Sequence, residues 1–362
     1  MGGYMLGGGH SPLSSIYGMA ADHVLSMEVV TANGRFVTAS EKSNPDLFWA
    51  LRGGGGSTFG IITSVTVRAF PKIKVALMDY LVSTTTGTPE DAFWEAFRAY
   101  LDTSVQIVKQ GHYTYFTIAK VAAAGGALFH RMQPYFAPNW TAKELEESTK
   151  PMIDRMKAAG AVVQPVYREF DNFYDAWLAG FLPENWGVPT ARMTSRLFPE
   201  KNWCSSSQRN ATFDAIKAVV EDGAAIQAIG LGPGEAKDWP DNAVNPAWRK
   251  TVLHAVVLNM WDKNAPEAEQ KAQSDKVTFD WGEKLREVTP GSGAYLNEAD
   301  IIEPDFQQSF YGDKYARLRE IKKRWDPTSL FYSPTAVGSE DWEMSKKIFG
   351  NIPSQNSKLC RK

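Results

Sequence analysis

Two glycine-rich loops are the first features of this sequence that could do chemistry. One spans residues 7–11 with the sequence Gly-Gly-Gly-His-Ser, and the other spans residues 53–60 and begins with four glycines. Glycines leave the backbone bare, so N–H groups in such a run can approach a diphosphate or the edge of a flavin. A flexible surface turn is the competing interpretation of either loop. Because the two loops bracket one predicted hairpin, we favour ligand binding.

The order of elements around the second loop excludes two common nucleotide-binding motifs. A P-loop needs Gly-Lys-Ser/Thr, and no lysine follows these glycines. A Rossmann loop follows a strand and opens a helix. Here a predicted helix precedes the glycines and a predicted strand follows them. The backbone of this loop would therefore meet its ligand in another geometry.

Polar side chains near the end of the chain are candidates for positioning a substrate. Tyr295 and Asn297 alternate with Leu296, which predicts that the two polar groups share one face of an extended stretch. Polar residues of an edge strand are the alternative interpretation. The pair therefore indicates a candidate site without identifying its chemistry.

A base is harder to assign from the sequence. His254 lies within an apolar strand pattern, where an imidazole could act as a base or be an ordinary buried sheet residue. Glu235 and Glu298 are alternative bases, but the residues around them in the sequence form no pattern that supports this role. The five histidines are scattered, so their spacing predicts neither a metal site nor a Ser/His/Asp triad.

Hydrophobic periodicity predicts the elements that would position these residues. Residues 24–40 predict a hairpin with an Asn-Gly turn, and residues 60–70 predict the strand after the second glycine loop. Strands then alternate with helices over residues 76–285. That order predicts an α+β domain, with an antiparallel sheet covered by helices on one face.

Local signals mark individual helices. Thr141 and Glu144 have the spacing of a capping box, so we expect a helix to begin there in preference to glycosylation of Asn139. One further helix is predicted over residues 309–325 because its apolar residues recur at helical spacing.

The charge and composition of the chain give no support for several classes of binding partner. The formal net charge of 362 residues is -2, which gives no electrostatic reason to expect nucleic acid or an anionic membrane. No apolar run approaches the length of a membrane span. Two distant cysteines, Cys204 and Cys360, form neither a metal motif nor a disulfide framework.

Three ordered stretches carry a resemblance to a known family. They are Tyr17-Gly18-Met19-Ala20-Ala21-Asp22-His23, Asn44-Pro45-Asp46-Leu47-Phe48-Trp49-Ala50-Leu51-Arg52 before the second loop, and Tyr295-Leu296-Asn297-Glu298-Ala299-Asp300. With their surroundings, residues 2–71 and roughly 290–342, they resemble fungal-type berberine-bridge-enzyme-like, vanillyl-alcohol-oxidase-type FAD-linked oxidoreductases. The resemblance implies a PCMH-type FAD-binding domain with a substrate domain inserted before a C-terminal return.

The resemblance translates into three expected segments. Residues 1–75 would be part of the FAD-binding domain, residues 76–288 the substrate-binding domain, and residues 289–362 a C-terminal segment that packs back on the flavin domain. It also implies that a set of residues approaches FAD: Gly7, Gly8, Gly9, His10, Asp22, Gly54, Gly55, Gly60 and Ile62.

The implied activity is oxidation of a small organic substrate at a C–H next to nitrogen or oxygen, in secondary metabolism. Tyr295 and Asn297 would lie near the flavin, with His254 as the candidate base. The alternative is a flavin-free remnant that is inactive or uses the substrate pocket for a non-redox cyclisation.

The sequence also departs from the family pattern. Family members usually carry an earlier flavin subdomain with a histidine, and often a cysteine, bonded to FAD. Neither Cys204 nor Cys360 lies in a matching context, so we expect an N-terminally truncated chain without these covalent anchors. A fragment and a genuinely short form both remain open. Lys314 stands where the family often has asparagine, and a lysine near the ring could stabilise an anionic reduced flavin.

Overall fold

The computed structural model describes residues 2–56, 58–183, 190–234 and 239–362. The first seventy residues form a small antiparallel sheet in the order β2–β1–β3, with short helices beside it. The elements are α1 (Gly2–Leu6), α2 (Ser14–Tyr17), β1 (Val24–Val30), β2 (Phe36–Ser40), α3 (Pro45–Leu51) and β3 (Ile61–Val67). The predicted hairpin is confirmed, with Gly34 at φ 78° in its turn.

A seven-stranded sheet dominates the middle of the chain. Its elements are β4 (Val75–Ser83), α4 (Glu90–Lys109), β5 (Tyr113–Val121), β6 (Ala127–Pro138), α5 (Ala142–Ala158), β7 (Val166–Phe170), α6 (Phe173–Gly180), β8 (Ala191–Pro199), α7 (Ser206–Glu221), β9 (Ala225–Gly230), β10 (Thr251–Met260), α8 (Glu267–Lys276) and α9 (Gly282–Glu287). The strand order is β7–β4–β6–β5–β9–β10–β8, and every neighbouring pair is antiparallel. The predicted antiparallel sheet with helices is confirmed.

The capping box predicted at the start of α5 forms. The Glu144 backbone N–H donates to Thr141 Oγ1 at 3.2 Å, and the Thr141 N–H donates to the Glu144 carboxylate at 2.7 Å. Two backbone donors of the first turn are thereby satisfied.

The two faces of the large sheet differ. Helices α4, α5, α7 and α9 cover one face, and Phe97, Phe116 and Ile118 belong to the hydrophobic core between helices and sheet, which we call the helix-side core. Because side chains alternate along a strand, Tyr115 and Thr117 point to the opposite side. We call that side the site face.

The last part of the chain contains two further helices and four short strands. They are α10 (Phe306–Tyr311), α11 (Tyr315–Trp325), β11 (Trp342–Met344), β12 (Lys347–Ile348), β13 (Ile352–Pro353) and β14 (Leu359–Arg361). The single helix expected over residues 309–325 is wrong. Gly312, at φ 56°, interrupts it because that backbone conformation cannot continue a right-handed helix.

The two ends of the chain share a hydrophobic core. Met5, Phe48 and Phe59 from the first part pack in one cluster with Phe310 and Leu318 from the last. The domain boundaries at residues 75 and 288 stay a prediction. Of the helices described, none combines the length and apolar character that a membrane span needs.

Candidate functional site

The structure brings Tyr295, Asn297 and His254 together, but not through an extended stretch. Residues 295–298 form a turn in which the Glu298 N–H donates to the Tyr295 carbonyl at 2.9 Å. The Asn297 amide still reaches the Tyr295 hydroxyl at 2.7 Å. The expected extended geometry is therefore wrong, and the turn adds Glu298 to the group.

Glu298 lies between two imidazoles. Its Oε1 is 3.2 Å from His10 Nε2 and its Oε2 is 2.9 Å from His254 Nε2. His254 on β10 is fully buried, whereas the Glu298 side chain is 36% exposed. One carboxylate thus holds two histidines that come from different parts of the chain, and we call these three residues the acid–base set.

Burial and neighbouring charges determine which residues of this set are protonated. Burial lowers the pKa of His254, although the neighbouring Glu298 partly offsets that effect. Burial alone would raise the pKa of Glu298, but His10 and His254 together hold it well below its usual range. The set therefore contains an anionic carboxylate beside a largely neutral imidazole, which can accept a proton.

Aromatic rings frame the acid–base set. The Trp248 ring centroid lies 5.8 Å from that of His10 and 5.3 Å from those of His254 and Tyr295. Burial raises the pKa of the Tyr295 phenol, so it stays protonated. Sequence analysis missed Trp248, because nothing in its local pattern distinguishes it from a core tryptophan.

A cavity of about 350 Å³ opens at the acid–base set. We call it the sheet cavity because β5, β8, β9 and β10 supply most of its wall. Its lining residues are His10, Tyr115, Met193, Gln227, Ile229, Val256, Asn297 and Glu298. The polar end holds His10 and Glu298, and the wall beyond them is largely apolar.

A second cavity, of about 240 Å³, lies at the second glycine loop, and we call it the glycine cavity. It is lined by Gly55, Gly56, Thr58, Leu296, Asn297, Phe310, Tyr311, Ser333, Pro334, Thr335 and Ala336. Asn297 lines both cavities. The two cavities therefore share one lining side chain.

The second glycine loop offers fewer free N–H groups than its sequence suggests. The Gly53 and Gly55 N–H groups both donate to the Leu6 carbonyl, at 3.1 and 2.8 Å, and the Gly54 N–H donates to Ala50 at 2.9 Å. The expectation that this run presents several donors to a ligand is wrong for these three glycines. Their N–H groups hold the loop against α1 and α3.

Gly55 and Gly56 nevertheless present bare backbone to the glycine cavity. Gly55 has φ 99°, and a Cβ there would lie 3.4 Å from Thr58 Oγ1 and 3.6 Å from Tyr311 Oη. A Cβ on Gly56 would meet only Gly3 Cα, at 3.3 Å. This bare rim suits the close approach of a planar aromatic group such as a flavin.

Gly54 and Gly60 serve packing within the protein. A Cβ on Gly54 would lie 2.4 Å from the Ala50 carbonyl oxygen, and one on Gly60 would lie 2.6 Å from Val29 Cγ1. Both contacts are closer than real Cβ atoms tolerate. Their predicted roles at the cofactor stay untested.

The first glycine loop shapes the acid–base set. A Cβ on Gly7 would lie 2.3 Å from Asn297 Nδ2, so any other residue there would displace that amide from its present position. Gly8 and Gly9 have φ 113° and 72°, and this left-handed backbone turns the chain immediately before His10.

The other residues expected at the cofactor lie apart from this site. Asp22 is buried, and its carboxylate accepts hydrogen bonds from Arg249 at 2.9 and 2.7 Å and from Asn242 at 2.7 Å. Ile62 lies on β3, paired with Val29. The carboxylate of Asp22 is therefore already satisfied by the protein.

Two candidates from the sequence remain: Lys314, expected near the flavin, and Glu235, an alternative base. Lys314 lies 3.6 Å from the Asp241 carboxylate and 5.8 Å from the centre of the Trp49 ring. It lines a separate cavity of about 720 Å³, and it is not among the residues that line the glycine cavity. Glu235 lies outside the described residues.

The acid–base set also has the composition of a metal site. The ligand atoms of His10, His254 and Glu298 lie within 4.8 Å of one another, and two histidines with one carboxylate are a known donor set for zinc and iron. The scattered sequence positions did not predict this grouping. Two of the three separations are direct hydrogen bonds, so the arrangement as it stands suits proton sharing.

Two family models match parts of this chain. Residues 1–40 match the FAD binding domain, and residues 294–338 match the berberine and berberine-like family. These matches include the first glycine loop and the turn that carries Tyr295, Asn297 and Glu298.

Curated relatives match nearly the whole chain. The FAD-linked oxidoreductase ZEB1 of Gibberella zeae is 35% identical over 95% of this chain and 59% of its own length. The bifunctional decalin synthase calF of Penicillium decumbens is 34% identical over 94% of this chain and 59% of its own length. The chain therefore spans about three-fifths of the length of these relatives.

A solved structure shares the fold. The VAO-type flavoprotein MtVAO615 from Myceliophthora thermophila C1 is 30% identical and superposes with a TM-score of 0.85, over 100% of this chain and 63% of its own. The mixed helix and antiparallel-sheet architecture is thus that of the VAO-type flavoproteins.

Proposed function

Because the chain is similar to the berberine-bridge-like, VAO-type FAD-linked oxidoreductases, we propose that it belongs with them and oxidises a small organic substrate at a C–H bond next to oxygen or nitrogen. One observation carries the proposal: Asn297 lines both a glycine-rimmed cavity and a cavity that is also lined by His10 and Glu298 of the acid–base set. Redox chemistry with a bound flavin needs these two compartments side by side.

FAD, when bound, supplies the acceptor for the hydride that leaves the substrate carbon. Gly55 and Gly56 would hold the edge of the ring, and Asn297 would face both ring and substrate. The described chain places no cysteine at this rim, since Cys204 follows a short helical turn after β8 and Cys360 lies in β14. We therefore propose that residues of this chain hold FAD noncovalently.

The acid–base set would receive the proton that the substrate hydroxyl or amine loses. His10 and Glu298 line the sheet cavity and would meet the proton first, and His254, buried behind them, would share it through its hydrogen bond to Glu298. Tyr295 stays protonated and orients Asn297, while Trp248 excludes water from the back of the set. Expulsion of water strengthens these electrostatic interactions.

The proposal is tested on the purified chain in two steps. After incubation with FAD and gel filtration, we expect flavin absorbance to elute with the protein and to separate from it after denaturation. Anaerobic mixing with a panel of primary and secondary alcohols should then bleach the flavin band. A folded protein, shown by circular dichroism, that retains no flavin or is never reduced would contradict the proposal.

A non-redox cyclisation is the second candidate function. The observation that favours it is the 34% identical relative named as a bifunctional decalin synthase. The acid–base set could transfer protons during ring closure without electron transfer. Product formation without reduction of any oxidant would favour this function over oxidation.

A further inference from the structure

A row of residues crosses the site face beyond the sheet cavity. On the paired strands β10, β9, β5 and β6, Val256 lies opposite Gln227, Gln227 opposite Thr117, and Thr117 opposite Arg131. Adjacent strands lie about 4.8 Å apart, so this row covers about 14 Å.

The row begins beside the acid–base set. His254 and Val256 are two residues apart on β10, and side chains at that spacing share one face of a sheet. Val256 also lines the sheet cavity together with Glu298. One end of the row therefore coincides with the place at which we propose oxidation.

A smaller cavity of about 100 Å³ continues along the row. Its lining residues are Tyr115, Phe116, Thr117, Arg131, Gln133, Leu182 and Gln227. Tyr115 and Gln227 line both this cavity and the sheet cavity, and the Gln227 amide donates to the Tyr115 hydroxyl. The two cavities thus adjoin at one hydrogen-bonded pair.

The far end of the row carries a positive charge and polar groups that lack hydrogen-bond partners among the described residues. Within the described ranges, the exposed Arg131 side chain makes no hydrogen bond or ion pair, and the nearby Asp79 is already bonded to Arg168. In the same part of the structure, Gln133 Oε1 is buried without a hydrogen-bond partner. A guanidinium without a protein partner is a donor that a carboxylate can complete.

We propose that Arg131, with Thr117, binds the carboxylate of an elongated substrate whose other end lies at the acid–base set. The apolar wall of Ile229 and Val256 would contact the chain between the two ends. The position of the oxidised end rests on the proposed function, whereas binding of the carboxylate at Arg131 does not.

The test is calorimetric titration of the whole chain, without turnover, with 12-hydroxydodecanoate and with its methyl ester. Wild type should bind the carboxylate more tightly than the ester. Arg131→Gln should weaken binding of the carboxylate roughly 10- to 100-fold and leave the ester unchanged, because a charge-assisted hydrogen bond is lost. Arg131→Lys should retain part of the affinity.

Lys120→Gln is the matched control. Lys120 lies on β5 opposite Leu128, which belongs to the helix-side core, so its substitution removes one nearby positive charge from the other face and should leave both affinities unchanged. Equal binding by Arg131→Gln and wild type, equal loss for acid and ester, or no binding by wild type would overturn the proposal. Tight carboxylate binding without flavin reduction would instead contradict only the proposed oxidation.

Discussion

The two faces of the large sheet each bury a histidine, and the protein treats them differently. His130 on β6 and His254 on β10 are both fully buried. His254 is bonded to Glu298 at 2.9 Å, whereas both ring nitrogens of His130 lack a partner among the described residues. Aromatic rings surround His130 instead, with the centroids of Phe97 and Phe116 each 5.3 Å away.

This difference separates the part of the sheet that folds the chain from the part that could do chemistry. In the helix-side core, burial keeps His130 neutral by lowering its pKa to about 3. On the site face, a carboxylate placed beside His254 makes its protonation less costly. Burial alone therefore does not make a histidine functional; a partner that faces a cavity is also needed.

The largest expected effect is on the site face. Glu298→Gln removes the anion that stabilises protonated His254, so flavin reduction by an accepted substrate should slow by about 10²- to 10⁴-fold. The free energy of unfolding should also fall, because both histidines lose the anion to which they are bonded, so circular dichroism must first show that the variant is folded. Anaerobic stopped-flow measurement of flavin bleaching checks this, with Glu269→Gln on α8 as control. A rate within twofold of wild type would exclude Glu298 from proton transfer.

A substitution in the helix-side core should mainly lower the stability of the fold. Phe97→Ala should lower the free energy of unfolding by about 3–5 kcal/mol, because its fully buried ring leaves a cavity under α4. Urea titration followed by circular dichroism measures the loss. Leu81→Ala, at a 41% exposed position of β4, should change stability by about 0.5 kcal/mol or less. Similar losses in both variants would contradict the division between the two faces.

Gly55→Val tests whether the glycine cavity belongs to the site. Valine at φ 99° is strained by about 1–3 kcal/mol and fills the rim of the cavity. We expect loss of bound FAD while the circular dichroism of the large sheet is retained. Gly125→Val, at φ 68° with open space around its Cβ, introduces similar strain elsewhere and should keep its flavin. Normal flavin content in Gly55→Val would place the cofactor elsewhere.

The smallest expected effect is on the pH dependence of stability, through His130, whose ring nitrogens lack hydrogen-bond partners among the described residues. Between its ordinary pKa of about 6.5 and its buried value of about 3, His130 binds a proton only in the unfolded chain. Stability should therefore fall as pH decreases through this window. His130→Leu should remove about 1–2 kcal/mol of the loss between roughly pH 6.5 and 5. Urea midpoints at the two pH values check this, and an unchanged difference between them would show that His130 does not contribute.

The sequence alone determined the features that depend on neighbouring residues. The Asn-Gly turn of the hairpin, the capping box at Thr141 and the strand after the second glycine loop were all predicted and are confirmed. Each arises from interactions within a few residues, so local pattern carries the information. The motifs at both ends of the chain likewise predicted a resemblance to the family whose models match residues 1–40 and 294–338.

The tertiary structure alone decided the composition of the site. His10 and Glu298 are separated by 288 positions, and His254 and Glu298 by 44, so no spacing rule could join them. The turn at residues 295–298 aims Glu298 at both histidines, where the sequence predicted an extended stretch. The glycine N–H groups of residues 53–55 bind α1 and α3, because a run of glycines shows that the backbone can approach something closely but not what it approaches. Which groups meet across such distances is set by strand pairing and by packing of the shared cores, and these are properties of the whole fold.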